Sequence, residues 1–265
     1  MDAFWASMTT PAPARGSRVD IDVPTTAFRP PAVRLGLLGG FHVEDQHGAG
    51  RLVLPHQAQR LLAVLAVTGV TSRTWVSGTL WPETTEERAH SSLRTAIWQV
   101  TRASRRILWT AGTEVTLAAD VDVDVPDLRK AAHAAVNDDP ATPRHLEMLR
   151  GAPNLLPGWY DDWVQSERES LNQLRLHALE HLSDKLLKQG RFADALPFAL
   201  AAVATEPLRD SAHRLVIQCH LRDGNAVHAL RHFNGYRDLL RRELGIPPSA
   251  QMQHLIGPLH RIRTA

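Results

Sequence analysis

Apolar residues recur every three or four positions in the stretch 88–106, RAHSSLRTAIWQVTRASRR. Residues at this spacing share one face of an α-helix, here Ala89, Leu93, Ala96, Ile97 and Val100, with Ile107 just beyond. The opposite face carries cations, hydroxyls and an indole: Arg88, Ser91, Thr95, Trp98, Arg102 and Arg105. The stretch holds five arginines and no acidic residue. One interpretation is a helix that lies in the major groove of DNA, and the other is an ordinary core helix with a solvated arginine face.

Short elements precede this helix. Apolar runs in 33–54, separated by the turn-rich QHGAG, predict a small antiparallel sheet that ends at Pro55. Helical spacing over 56–69 predicts a first helix that stops at a glycine. A second short helix is predicted over 72–80, with Ser72 as its N-cap.

The segments on either side of the basic helix predict its first residue and a hairpin after its end. Thr84 and Glu87 have the spacing of a capping box, which predicts Thr84 as the N-cap. The run ILWTAGTEVTLAADVDVDV, with a tight turn at 111–113, predicts a β-hairpin. A helix–turn–helix followed by a hairpin is a winged helix, and we therefore expect an α+β winged-helix DNA-binding domain over 32–125.

Strand signals stop after this domain, and 126–265 is predicted to be all-α. A long amphipathic helix is expected over 161–189. The segments QGRFADAL at 189–196 and DGNAVHAL at 223–230 resemble each other at an offset of 34 residues, which is the period of tetratricopeptide repeats. The helical domain is therefore predicted to stack helix pairs around a shared core.

The composition limits the compartments and partners that can be expected for this protein. The formal net charge of +2 does not by itself indicate nucleic-acid binding, so the local clustering of arginines is the informative feature. Residues 1–31, rich in Pro, Thr, Ala and Ser, are predicted to be a disordered tail. The single cysteine, Cys219, excludes a disulfide framework. Neither a membrane span nor a signal pattern is found, so the expected location is the cytoplasm, in association with the nucleoid.

Enzymatic chemistry is not expected. His177 to His181 spell H-x-x-E-H, the inverted zinc-protease pattern, but no third ligand is present at a typical spacing. The sequence contains neither G-x-S-x-G nor a phosphate-binding loop. We therefore predict no catalytic residue, no metal site and no cofactor.

A winged helix joined to a helical repeat domain resembles the actinomycete antibiotic-biosynthesis regulatory proteins, abbreviated SARP. The resemblance covers about 33–256 and is clearest in RLGLLGGFHV, LPHQAQRLLAVLAV, LPGWYDDWVQSERESL and YRDLLRRELGIPPSAQMQHL. It implies a response-regulator-type winged helix followed by a bacterial transcriptional activator domain. One departure is in the wing, where the family commonly has Gly, Tyr and Arg and this chain has Glu114-Val115-Thr116.

The resemblance implies a sequence-specific transcriptional activator of secondary-metabolite genes. Two protomers would lie side by side on direct repeats of double-stranded DNA about one helical turn apart. The helical domain would recruit RNA polymerase holoenzyme, including its sigma factor, and no membrane partner is expected. The alternative is a helical-repeat interaction adaptor without specific DNA binding. The observation that discriminates the two is DNA binding with a steep salt dependence.

The predicted DNA-binding residues come from the second helix, the basic helix and the wing turn: Arg73, Thr74, Arg88, Ser91, Ser92, Arg94, Thr95, Trp98, Arg102, Arg105, Gly112 and Thr113. Arg94 and Arg105 are assigned to phosphates, as are Arg73 and Thr74. Trp98 is expected to contact a base or sugar, or else to pack on the wing or on a neighbouring protomer. The carboxylate of Glu114 opposes phosphate contact, so the wing is expected to contribute little or to bind through backbone N–H groups.

Overall fold

The chain forms both strands and helices up to residue 123. After it the described regular structure is helical, apart from a single bridge between Leu38 and Leu155. The computed structural model describes residues 33–46 and 50–263, with side chains as far as 257. All of these lie in one compact unit, and the tail predicted over 1–31 lies outside the described residues. The strands are β1 (Val33–Gly36), β2 (His42–Asp45), β3 (Gly50–Arg51), β4 (Thr71–Ser72), β5 (Leu108–Ala111), β6 (Glu114–Leu117) and β7 (Val121–Val123). The helices are α1 (His56–Thr68), α2 (Arg73–Leu80), α3 (Glu86–Ala103), α4 (Asp124–Val136), α5 (Pro143–Gly151), α6 (Asp162–Lys188), α7 (Phe192–Thr205), α8 (Asp210–Arg222), α9 (Ala226–Glu243) and α10 (Ala250–Arg263).

The first sheet has the strand order β3-β2-β1-β7. Strands β1 to β3 form the small antiparallel sheet that was predicted. In the structure Val33 of β1 lies opposite Asp45 of β2. Strand β7 was not predicted there: it runs parallel to β1, with Val33 opposite Val121. The expectation that all of the run up to residue 125 belongs to the hairpin is therefore wrong.

The second sheet is the wing. Strands β5 and β6 form the predicted hairpin, and Ala111 pairs with Glu114 across the two-residue turn. Gly112 in that turn has φ 54°, a left-handed conformation that glycine adopts without strain. The short strand β4 pairs with β6 on its other side and makes the wing three-stranded.

The two predicted repeats in the helical region share one turn geometry. Gly190 lies in the turn after α6 and Gly224 in the turn after α8, and each has φ 76°. In each copy the residue after the glycine donates its N–H to the carbonyl five positions earlier, at 2.9 and 2.7 Å. Ala195 and Ala229, 34 residues apart, are both fully buried in the following helices. The helix pairs α6–α7 and α8–α9 are thus repeats of one unit, as the offset predicts.

One apolar core extends from the winged helix into the first helices of the helical region. The carboxylate of Asp124, at the start of α4, accepts the backbone N–H groups of Leu37 and Leu38 at 2.9–3.0 Å. Arg129 on the same helix donates to the carbonyl oxygen of Val67 at 3.2 Å. These bonds and the shared core hold the winged helix in a fixed orientation on the helical region.

Candidate nucleic-acid interface

Helix α3 begins one residue later than the capping-box pattern predicts. Thr85 is the N-cap and makes no side-chain capping bond. The hydroxyl of Thr84 instead donates to the carbonyl oxygen of Trp81 at 3.1 Å, so the prediction that Thr84 caps this helix is wrong. Glu86 and Glu87 still place negative charge in the first turn, where the helix dipole favours it.

The other end of α3 is attached to the first sheet. The helix ends at Ala103, and the hydroxyl of Ser104 donates to Asp45 Oδ2 at 3.1 Å and accepts the N–H of Arg106 at 3.3 Å. Arg105 was expected to extend the helical face, but it lies in the turn beyond the helix. It remains exposed.

The faces of α3 are as the periodicity predicts. Four apolar positions are at most 3% exposed and Ile97 is half-buried; the four are Ala89, Leu93, Ala96 and Val100. Six of the predicted DNA-binding side chains on this helix are exposed, namely Arg88, Ser91, Arg94, Thr95, Trp98 and Arg102, while Ser92 is half-buried. The core therefore fixes the helix from one side and leaves the basic side open to a ligand.

Four of the five arginines in 88–106 have no carboxylate partner among the described residues. Arg88, Arg94, Arg102 and Arg105 form no ion pair in the part of the chain that the structure describes. Arg106 is different, because its Nη1 lies 3.9 Å from Asp45 Oδ1. Four uncompensated cations on one surface attract a polyanion more strongly than paired ones do.

Trp98 and Arg102 contact each other on the exposed face of α3. They are four residues apart, and the guanidinium carbon of Arg102 lies 5.2 Å from the centroid of the Trp98 ring. A cation over an indole face is attracted by the ring quadrupole. Trp98 is 58% exposed, so it does not pack in the core of this chain. The ring limits the orientations of the guanidinium and offers its own apolar surface beside it.

The start of α2 lies against the wing turn. Ser72 is the predicted N-cap, and its hydroxyl accepts the N–H three residues on at 3.2 Å. Thr71 pairs with Val115 of the wing. The backbone N–H of Arg73 then donates to the carbonyl oxygen of Thr113 at 2.8 Å. Sequence reasoning missed this pairing, because two residues are too short to show a strand period.

This pairing brings together two groups that were predicted separately. Thr74 from α2 is exposed, as are Gly112 and Thr113 from the turn. Arg73 is half-buried, and its Nε has no acceptor among the described residues. Glu114, the carboxylate that departs from the family pattern, is exposed at the same place. The wing turn thus offers backbone and hydroxyl groups beside one negative charge.

Two exposed tryptophans were not predicted as candidates. Trp109 on the wing is 50% exposed and Trp75 on α2 is 46% exposed. Trp109 lies opposite Thr116 in the hairpin, one position away from buried Val115. Because successive strand residues face opposite sides, alternation about Val115 was the signal that places Trp109 outward.

Two residues of the H-x-x-E-H motif make structural contacts. Glu180 accepts hydrogen bonds from Arg209 at 3.0 and 2.9 Å, and His181 lies 3.1 Å from an oxygen of Asp138. Within the described ranges no group of three or more His, Cys, Asp or Glu side chains is placed to hold a metal ion. In the same ranges no helix is long and apolar enough to cross a membrane.

Comparisons with known proteins bear on both parts of the chain. The model of the bacterial transcriptional activator domain matches residues 127–259, half of the chain. The regulatory protein AfsR of Streptomyces coelicolor is 28% identical over 238 residues, which are 84% of this chain and 24% of AfsR. The regulatory protein DnrI of Streptomyces peucetius is 37% identical over 93 residues, 35% of this chain and 34% of DnrI. The chain is a member of the SARP family.

This SARP spans about a quarter of the length of AfsR and about a third of that of DnrI in these matches. Among solved structures, that of Mycobacterium tuberculosis EmbR in complex with a low-affinity phosphopeptide is similar, with a TM-score of 0.63 and 17% identity. The match covers 87% of this chain and 65% of that chain. At this identity it supports the fold alone: a winged helix followed by a helical domain.

Proposed function

We propose that this SARP is a sequence-specific DNA-binding transcriptional activator, and that α3 is its recognition helix. The observation that carries the proposal is the exposed face of α3, where arginines without carboxylate partners among the described residues stand opposite a largely buried apolar face. Family membership and the winged-helix fold support the same function. Activation of secondary-metabolite genes, by a protein bound to the nucleoid in the cytoplasm, is part of the proposal.

The exposed face of α3 is assigned to the major groove. Arg88 and Arg102 suit bidentate contacts to guanine, Ser91 and Thr95 suit base edges or adjacent phosphates, and Trp98 suits a thymine methyl. Ser92, half-buried at the edge of this face, is assigned to a nearby phosphate or sugar. These contacts would supply the sequence preference of the protein.

Phosphate contacts are assigned to the ends of the surface. Arg94 on α3 and Arg105 in the turn after it flank the groove-facing side chains. Arg73 and Thr74 lie at the N-terminus of α2, which is a favourable position for an anion. Gly112 and Thr113 beside them would bind through backbone N–H groups, since Glu114 disfavours a closer approach of phosphate. Contacts of this kind orient the protein without reading sequence.

The proposed complex has two protomers side by side on direct repeats about one helical turn apart. Because each winged helix is held rigidly on its helical region, DNA binding would also set the orientation of that region. The helical region would then contact RNA polymerase holoenzyme, including its sigma factor.

A matched pair of triple variants tests the DNA-binding assignment. Replacing Arg88, Arg94 and Arg102 by Ala is expected to abolish binding to DNA from the chain's own gene neighbourhood in fluorescence anisotropy. The control replaces three exposed arginines of the helical region, Arg144, Arg222 and Arg231, by Ala and removes the same charge. Equal loss in both variants would mean that net charge alone drives binding and would contradict the assignment.

A further inference from the structure

A groove of about 610 Å³ lies in the helical region, between α9, the 244–249 loop and α10. Its size is that of an ordinary ligand pocket. Its lining combines two arginines of α9 with apolar residues of α9 and of the loop, and includes Phe233, Ile246, Pro247, Pro248, Arg237 and Arg241. None of the residues assigned to DNA contributes to it.

The walls of this groove are fixed before any ligand arrives. Ser249 donates its hydroxyl to Asp210 Oδ2 on α8 at 3.0 Å. The amide of Gln253 on α10 donates to the carbonyl oxygen of Pro248 at 3.0 Å. Gly245 turns the chain with φ 70° between α9 and the two prolines. A preformed wall costs little conformational entropy on binding.

The charged side chains that line the groove, among the described residues, are all cationic. Arg241 has no ion-pair partner among the described residues, and Arg237 pairs only with its chain neighbour Asp238, at 3.0 Å. No described acidic side chain lines the groove. Ile246 at its edge is 50% exposed, so its side chain presents apolar surface to a ligand in the groove.

We infer that this groove binds an acidic peptide segment of a partner protein. Carboxylates of the segment pair with Arg237 and Arg241, and an apolar side chain packs against Ile246 and Pro247. Nucleic acid complements the arginines but not the apolar wall, because a phosphate backbone gains nothing from Ile246. The groove is a second interaction surface of the SARP, and its binding does not depend on the DNA-binding proposal.

Fluorescence anisotropy of the full chain with a labelled synthetic peptide, Glu-Leu-Leu-Glu repeated three times, tests this inference. The expected result is saturable binding that Arg241→Glu and Ile246→Asp each weaken about ten-fold. Arg231→Glu is the matched control: Arg231 is exposed on the same helix but lines a different cavity, so its substitution should change the Kd less than about two-fold. Circular dichroism confirms that each variant is folded.

Three results would overturn the inference. Absence of saturable binding of the Glu-Leu peptide to the wild-type chain would show that the groove is not a peptide site. Equal weakening by Arg231→Glu and Arg241→Glu would show general charge attraction. Displacement of the peptide by a DNA duplex, with the same dependence on Arg241, would assign the groove to nucleic acid. The triple variant of α3 should bind the peptide normally, which separates this test from that of DNA binding.

Discussion

The backbone N–H of Arg73 donates to the carbonyl oxygen of Thr113 at 2.8 Å, so the first residue of α2 is bonded directly to the turn of the wing. Because strand β4 also pairs with the wing, the N-terminus of α2 and the hairpin form one unit. A change in the turn is therefore expected to move the phosphate-binding groups of α2 as well.

The turn residue Gly112 gives the first prediction. Its φ of 54° disfavours a β-branched side chain, so Gly112→Val should cost about 1–2 kcal/mol of folding free energy and weaken DNA binding. Gly112→Asn is the control, since Asn tolerates this conformation. Urea unfolding and DNA titration measure the two effects. Equal DNA affinity of the Val variant and the wild type would show that the wing does not position α2 on DNA.

The contact between Trp98 and Arg102 gives the second prediction. If the indole holds the guanidinium toward a base, Trp98→Ala and Arg102→Ala should not be additive, with a coupling of about 0.5–1 kcal/mol in DNA binding. Arg102→Ala alone should cost about 1–3 kcal/mol and relax the preference at one base pair. A double-mutant cycle on matched operators measures both values, and additive losses would refute the coupling.

The third prediction separates unpaired from paired arginines. Arg94→Ala should weaken binding to all DNA sequences alike and reduce the slope of log K against log salt by about 1. Arg106, whose guanidinium already faces Asp45, is the control and should change the slope less. Salt titrations of both variants on one duplex provide the measurement. A larger change in slope for the Arg106 variant than for the Arg94 variant would contradict the assignment of the phosphate contact to Arg94.

Helical periodicity predicted α3 well because its signal is local: Leu93 and Val100 face the core, as their spacing requires. The 34-residue offset predicted the matching turns at Gly190 and Gly224 for the same reason. The start of α3 was wrong by one residue, because Thr84 and Thr85 are chemically equivalent as caps. The hydroxyl of Thr84 donates to the carbonyl oxygen of Trp81 instead, and the capping pattern does not predict this bond.

The sequence did not predict which strands pair when they are far apart along the chain. The apolar alternation from residue 114 to 125 looks continuous, yet β6 belongs to the wing and β7 pairs with Val33 in the other sheet. Nothing local specifies a partner about ninety residues away. The basic surface was predictable as a helix face, whereas its junction with α2 depends on β4, which has no sequence signature.

A histidine pair in the second repeat gives a pH prediction. His213 Nε2 lies 2.9 Å from the carbonyl oxygen of Pro207, and its Nδ1 lies 2.9 Å from His232 Nε2. A carbonyl only accepts, so neutral His213 donates from Nε2 and accepts at Nδ1. Burial is the largest cause that lowers the pKa of both rings, that of His232 to about 4. His220, which lowers the pKa of His232 further, and Asp210, which raises that of His213, also act on the pair.

The folded protein therefore takes up protons less readily than the unfolded chain. The stability that the neutral histidines contribute is fully present above the unfolded pKa of about 6.5, and this contribution is lost as the pH falls toward 4. The titration of His232 alone should lower the free energy of unfolding by about 2 kcal/mol between about pH 7.5 and pH 5. Urea unfolding of the wild type and of His232→Gln at both pH values measures the difference. If both proteins lose the same stability, His232 is not the group that titrates.

Footprinting of the purified protein on DNA from its own gene neighbourhood tests whether α3 is the recognition helix. We expect protection of two adjacent repeats about one helical turn apart, lost in the Arg88, Arg94 and Arg102 triple variant and weakened steeply by salt. No protected site, or a protection pattern that the triple variant leaves unchanged, would contradict the assignment of α3 as the recognition helix.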